Sequence, residues 1–268
     1  MNRRFALKLL GGIALGGAAR SSWAAAPQQA PAADREKLTM DNNAFALDLY
    51  AKLRSQEGNL FLSPASISIA LAMTYAGARE HTAEQFAKAM HFSLPQEKLH
   101  PAFGALLRDL NSEGRDIVRG YELSVANALW GQKGYPWKQD FLKTTRDNYG
   151  AGLQEVDFVG ATEAARKTIN TWVEQHTKDK IKELIKEGIL DAMTRLVLTN
   201  AIYFKGDWAA KFDKKATVDQ QFMVAKDKTV KTPLMSRKGE YRLFEDRELQ
   251  VLDMPYKGKE LSMFVVLP

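Results

Sequence analysis

From Leu60 to Ala78 the stretch NLFLSPASISIALAMTYAGA carries no charge, yet Ser63, Ser66 and Ser68 stand near its start. Ser63 followed by Pro64 reads as a helix start, because a hydroxyl caps free N–H groups and proline fits the first helical position. Gly77 can end the helix in the left-handed conformation. The predicted helix over 64–76 is about 20 Å long, short of the roughly 30 Å of a bilayer core. NLFL before it reads as a short strand. Upstream, Phe45, Leu49 and Leu53 recur at four-residue spacing and predict a helix with one buried face. Downstream, Thr82 and Gln85 form a capping-box pair that opens a helix burying Phe86, Ala89 and Met90. Residues 97–112 predict another, with Leu99, Phe103, Leu106, Leu107 and Leu110 inside.

The pattern then changes. YELSVANALWGQ (121–132) reads as a strand buried on both faces, with Leu123, Val125, Asn127 and Leu129 on one side and Ala126, Ala128 and Trp130 on the other. A helix near 138–149 leads into the strand GLQEVDF. Residues 162–177 form an amphipathic helix whose inner side holds Ala165, Ile169, Trp172, Val173 and His176. RLVLTNAIYFKGDW (195–208) is a strongly apolar strand, read as central, with Asn200 in its middle. From Thr217 on, QQFMVA, TVKTPLMSR, EYRLFED, LQVLDMPY and LSMFVVLP alternate with turns, and YKGKEL supplies a glycine-containing hairpin turn. Helices come first and strands last, an α+β organisation.

Composition narrows the function. The 268 residues contain no cysteine, which excludes disulfides and thiol chemistry. Residues 1–26, MNRRFALKLLGGIALGGAARSSWAAA, run from a basic start through a mildly apolar stretch to small residues. That is the pattern of an export signal, and Arg3-Arg4 with the later Arg20 suggests the bacterial twin-arginine route. The protein is expected in the periplasm or outside the cell. Removing the signal's four basic residues lowers the formal charge from +6 to +2. The remaining charge is mixed, as where Lys178, Lys180 and Lys182 alternate with Asp179 and Glu183, so no nucleic-acid patch forms. Residues 27–38, rich in Pro, Ala and Gln, read as a flexible linker, with order beginning near Thr39.

Chemistry of the familiar kinds is missing. His81, His91, His100 and His176 show no metal-ligand spacing, and no cofactor is expected. Neither G-x-S-x-G nor S-x-x-K occurs, so Ser63, Ser66 and Ser68 have no base to activate them. Two polar features remain: the Ser63/Ser66 pair at an apolar helix start, and Asn200 in an apolar strand. Either they share one hydrogen-bond network, with the helix start beneath the sheet, or Ser66 back-bonds within its own helix.

The residues then resemble a family. NLFLSPASISIALAMTYAGA with TAEQF, ELSVANALWGQKGYPWKQDFLKTTRDNYGAGLQEVDF, INTWVEQHTKDKI, LVLTNAIYFKGDWAAKF and MPYKGKELSMFVVLP are similar to serpin segments, in serpin order, from Thr39 to Pro268. The resemblance implies a serpin fold: a large central sheet, two smaller sheets and surrounding helices. It implies inhibition of a serine protease by a reactive loop that inserts into the large sheet after cleavage. It assigns Ser63, Pro64, Ser66 and Asn200 to the shutter, where sheet strands part, and Trp208 to the breach, where insertion starts. The helix over 162–177 corresponds to the one that crosses the sheet. These roles are conformational, and no catalytic residue is implied.

The chain stops at Pro268, after LSMFVVLP, where serpins continue. No run of Gly-Thr-Glu followed by alanines occurs in 27–268, so the expectation is a serpin domain over 39–268 truncated before the reactive centre loop. The reactive bond is absent, the chain is inactive as it stands, and the complete protein is a monomer. Two alternatives stay open: a non-inhibitory binding or chaperone module, and an exported serine hydrolase that would be labelled at Ser63 or Ser66.

Overall fold

Helix formation begins earlier than the Pro/Ala/Gln composition suggests. The computed structural model describes residues 30–111, 120–150, 152–225 and 227–268. Within them α1 spans Ala32–Leu53, entered from Pro31. Ala32, Ala33, Glu36 and Lys37 are good helix formers, and Leu38 in the second turn, at 2% exposure, anchors the helix in the core. The linker expected over 27–38 is thereby corrected from residue 32 onward, as is the onset of order near Thr39, while 27–29 lie outside the described residues. The export signal expected over 1–26 lies outside the described residues.

Next come α2 (Pro64–Tyr75), α3 (Glu80–Ala89) and α4 (Gln96–Asn111). α2 and α4 pack on α1 to form the main core, built on Ile69, Met73, Leu99 and Phe103, none of them exposed to solvent, and α3 leans on α2 through Phe86, stacked on Tyr75 at 5.5 Å. Three local expectations fail here. NLFL forms no strand, and Phe61 stands fully exposed. Gly77 is not left-handed, since α2 closes through Ala76 in the right-handed region; a Cβ there would sit at ordinary contact distance, 3.4 Å, from Phe141. The capping box does not form, because α3 starts two residues early, at Glu80 after Arg79, and Gln85 hydrogen-bonds the His81 ring at 3.0 Å. Ala89 is exposed, while Phe86 packs on the core as expected.

The central sheet has the order β2-β1-β3, from β1 (Tyr121–Gln132), β2 (Gln154–Val156) and β3 (Leu196–Gly206). Between its first two strands runs α5 (Gln139–Tyr149), which ends at Gly150 in the left-handed conformation, φ 70°. The two faces of β1 divide as their alternation predicts. Val125 and Leu129 join the core against α2 and α4, while Ala126, Ala128 and Trp130 face α6 (Thr162–His176). Ala165, Ile169 and Val173 are that helix's buried side. His176 departs from the expected inner side: it is exposed and stacks on Trp172 at 4.0 Å. β3, read as central from its apolar run, lies at an edge of this sheet among the described residues.

The last part of the chain builds two further sheets. β4 (Val218–Ala225) and β5 (Lys228–Leu234) form a hairpin, and β6 (Arg242–Glu245), β7 (Gln250–Pro255) and β8 (Ser262–Leu267) form a meander. The turn before β8 is as predicted, with Gly258 at φ 91° and Lys259 N–H donating to the Tyr256 carbonyl at 2.9 Å. Among the described residues no helix is long and apolar enough to cross a membrane.

Candidate functional site: a polar latch beneath the central sheet

The start of α2 gives each serine a separate task. Ser63 caps the helix, its Oγ accepting from Ser66 N–H at 3.3 Å. Ser68, fully buried, donates to Asn42 Oδ1 on α1 at 2.7 Å. Ser66, 1% exposed, reaches the sheet. Pro64 holds the first helical position, where its missing N–H costs nothing.

The sheet brings the matching polar groups. The antiparallel register of β1 and β3 sets Asn127 directly opposite Asn200. Asn200 Nδ2 donates to Asn127 Oδ1 at 2.6 Å, to Ser66 Oγ at 2.5 Å and to the Ser66 carbonyl at 2.9 Å. Of the two readings open from the sequence, the shared network is the one observed. Asn127, which sequence reasoning placed on the correct face but did not assign to the site, completes it; the missing signal was its register, fixed only by pairing across 73 positions. Its own Nδ2 is buried with no acceptor among the described residues, a cost of about 1–3 kcal/mol.

The opposite face of the same strands is tied just as tightly. Trp130, 1% exposed, donates its indole N–H to Thr199 Oγ1 at 3.0 Å and meets Trp172 of α6 edge-on at 5.7 Å. Beyond α6, the segment returning to β3 is strapped to the helix. Asn170 exchanges two hydrogen bonds with the backbone of Ile185, at 2.8 and 2.9 Å, and Arg166 Nη1 adds a third at 2.8 Å. Glu163 and Glu183 neutralise Arg166 and raise its pKa. No local spacing in the sequence signals this strap.

Trp208 lies elsewhere. It sits eight residues past Asn200, about 26 Å along an extended strand, and stacks on Tyr256 with ring centroids 4.5 Å apart and planes 11° from parallel. A backbone bridge joins the same two residues, and Phe204 meets Tyr256 edge-on at 5.0 Å. Burial raises the Tyr256 pKa. The structure thus gathers Ser63, Pro64, Ser66 and Asn200 at one place and leaves Trp208 at the other end of β3.

No imidazole or amine hydrogen-bonds Ser63 or Ser66 among the described residues. His100 pairs with Tyr149 at 2.7 Å, His91 with Asp48 at 2.7 Å, His81 with Gln85, and His176 with the Trp172 carbonyl. No group of ligating side chains able to hold a metal is found among these residues. What the arrangement can do is mechanical: it fixes a helix end to two strands through a few replaceable hydrogen bonds.

Comparison with known proteins agrees with this architecture. Residues 40–268 match the family model described as Serpin (serine protease inhibitor). Human leukocyte elastase inhibitor is 46% identical over 237 residues, covering 87% of this chain and 61% of the relative; the horse protein gives the same figures. Emu ovalbumin superposes with a TM-score of 0.79 at 30% identity over 86% of this chain and 63% of that one. Cleaved kallistatin complexed with heparin gives 0.78 at 32% identity, over 87% and 69%. The chain therefore spans about three-fifths of the length of the curated relatives it matches, and through that span it has the serpin fold. With its helix layer, its polar latch and this match, the chain belongs to the serpin family.

Proposed function

We propose that this chain carries the sheet-opening machinery of an inhibitor of a serine endopeptidase. The observation that carries the reading is the convergence of Ser66, Asn127 and Asn200 beneath β1 and β3. On its outer side β3 has no strand neighbour among the described residues. Parting or extending the sheet there exchanges a small set of hydrogen bonds while both apolar layers stay in place. Ser63, Pro64, Ser66 and Asn200 act as the shutter and Trp208 as the breach. The partner is a serine protease, in keeping with relatives named as inhibitors of leukocyte elastase.

Within residues 27–268 no segment reads as a reactive-loop hinge, so the 268-residue chain is expected to form no covalent complex. Incubation with trypsin, subtilisin and elastase followed by denaturing electrophoresis tests this, and a gel-stable complex would overturn it. The opening itself is tested with a synthetic extended peptide rich in Thr, Glu and Ala. It should raise the unfolding temperature of the wild-type chain by adding a strand beside β3. An unchanged midpoint at millimolar peptide removes the shutter reading. Labelling of Ser63 or Ser66 by a fluorophosphonate would instead support the hydrolase alternative, which the absence of a base beside them opposes.

The export reading rests on Arg3-Arg4 and the small-residue end of 1–26 and places the protein in a bacterial periplasm or outside the cell. A reporter fused behind residue 26 should be exported, and Arg3→Lys with Arg4→Lys should retain it in the cytoplasm. Equal export of both fusions would refute the twin-arginine route.

A further inference from the structure

A cleft of about 570 Å³ lies between the end of α2 and the start of α5, outside the latch and independent of the inhibitor reading. Its size falls in the range of small-molecule sites. Tyr135, Trp137 and Phe141 line it, with the Tyr135 and Trp137 rings 4.7 Å apart and Phe141 6.1 Å beyond. The Trp137 ring is seated against Gly131, where a Cβ would come within 2.8 Å of its Cζ2. Only glycine admits the indole that closely. The aromatic wall is therefore set before any ligand arrives.

Charge is placed around this wall without being used. Arg79 and Lys138 both line the cleft, and neither forms an ion pair among the described residues. The Arg79 guanidinium is held by its Nη1, which donates to the carbonyls of Ala76 at 2.9 Å and Ala78 at 2.8 Å, leaving its other edge unpaired. Lys138 precedes α5 and gives that helix no side-chain cap, so the positive end of an eleven-residue helix adds to the two cations. One carboxylate, Asp140, also lines the cleft and leaves the balance positive. An apolar aromatic wall beside two unpaired cations matches a flat ring that carries an acid.

We propose that this cleft binds an aryl carboxylate, its ring against Tyr135, Trp137 and Phe141 and its carboxylate toward Arg79 and Lys138. The probe is 2-naphthoate, set against 2-naphthylmethylammonium, which has similar bulk and the opposite charge. Calorimetric titration of the whole chain should give one naphthoate site, with Kd below about 1 mM for a ligand of this size, and at least tenfold weaker binding of the ammonium. Arg79→Glu and Lys138→Glu, both at exposed positions, should each weaken naphthoate at least fivefold. Circular dichroism of both variants and the urea midpoint of Lys138→Glu should match the wild type, while Arg79→Glu, which also loses the bonds to Ala76 and Ala78, is read against Arg79→Gln. In a nitrogen-15 spectrum the Trp137 indole signal should shift on titration. Equal binding of the two probes, binding at several sites, or naphthoate affinity unchanged by both reversals would overturn the proposal.

Discussion

Two sheets of this molecule are made from similar residues and end in opposite environments. In the central sheet, Ala128, Leu129 and Trp130 are at or below 1% exposure, enclosed by α2 on one face and α6 on the other. In the β6–β8 meander every residue of SMFVVL is exposed, Phe264 at 65%. An apolar strand is not a buried strand; burial is supplied by the layers laid on it. The helices that do this covering precede both the meander and the β4–β5 hairpin in the chain, and they spend their apolar faces on β1 and β3.

The contrast can be broken most severely at Trp130. Trp130→Ala should cost about 3–5 kcal/mol and leave Thr199 without its indole partner, whereas Phe264→Ala should stay within about 0.5 kcal/mol. Urea midpoints of the two variants give the comparison directly, and equal shifts would show that the meander is covered after all. Next in size is a pH effect confined to the helical side. Burial, opposed by Glu97 and assisted by Arg79, lowers the His100 pKa from 6.5 to about 4. The fold therefore favours the neutral ring. Its contribution is complete above pH 6.5 and is lost progressively as the pH falls toward 4, reaching the order of 3 kcal/mol. His100→Gln should flatten that part of the stability profile. The meander contains no histidine to titrate in that range.

The latch comes third. Asn200→Ala strands Ser66 Oγ and Asn127 Oδ1 and should cost about 2 kcal/mol. A double cycle with Ser66→Ala should return a coupling above about 0.5 kcal/mol; strict additivity would mean that the two residues do not share a network. The smallest effect belongs to Val266→Thr on β8, expected to leave the midpoint within about 0.5 kcal/mol while raising the concentration at which the chain stays monodisperse by light scattering.

What could be read beforehand follows the same division. Alternation along YELSVANALWGQ revealed both faces of β1, because a strand's parity is local and its two coverings are apolar alike. Ser63-Pro64 marked the start of α2 for an equally local reason. Thr82 and Gln85 spelled a cap that the chain does not use, since α3 begins earlier, at Glu80 with φ 49°. His176 fitted the helical period yet fell beyond the covered part of α6. Within the latch, Ser66 and Asn200 were recognisable as polar residues out of place. Asn127 and the Arg166–Ile185 strap were not, because each is defined by a partner that only the tertiary fold brings near.

Counting protons at the latch shows an imbalance. The Asn200 amide has two hydrogens for three acceptors, while the neighbouring Asn127 amide has two hydrogens and no acceptor among the described residues. Such a junction leaves part of its hydrogen-bonding capacity unmet. Separating it surrenders less than a fully matched set would, and an incoming backbone carbonyl would be met by donors already waiting. Under the sheet-opening role proposed above, the mismatch is a perforation line, a place to part β1 from α2 and β3 at low cost while the apolar layers above and below stay packed.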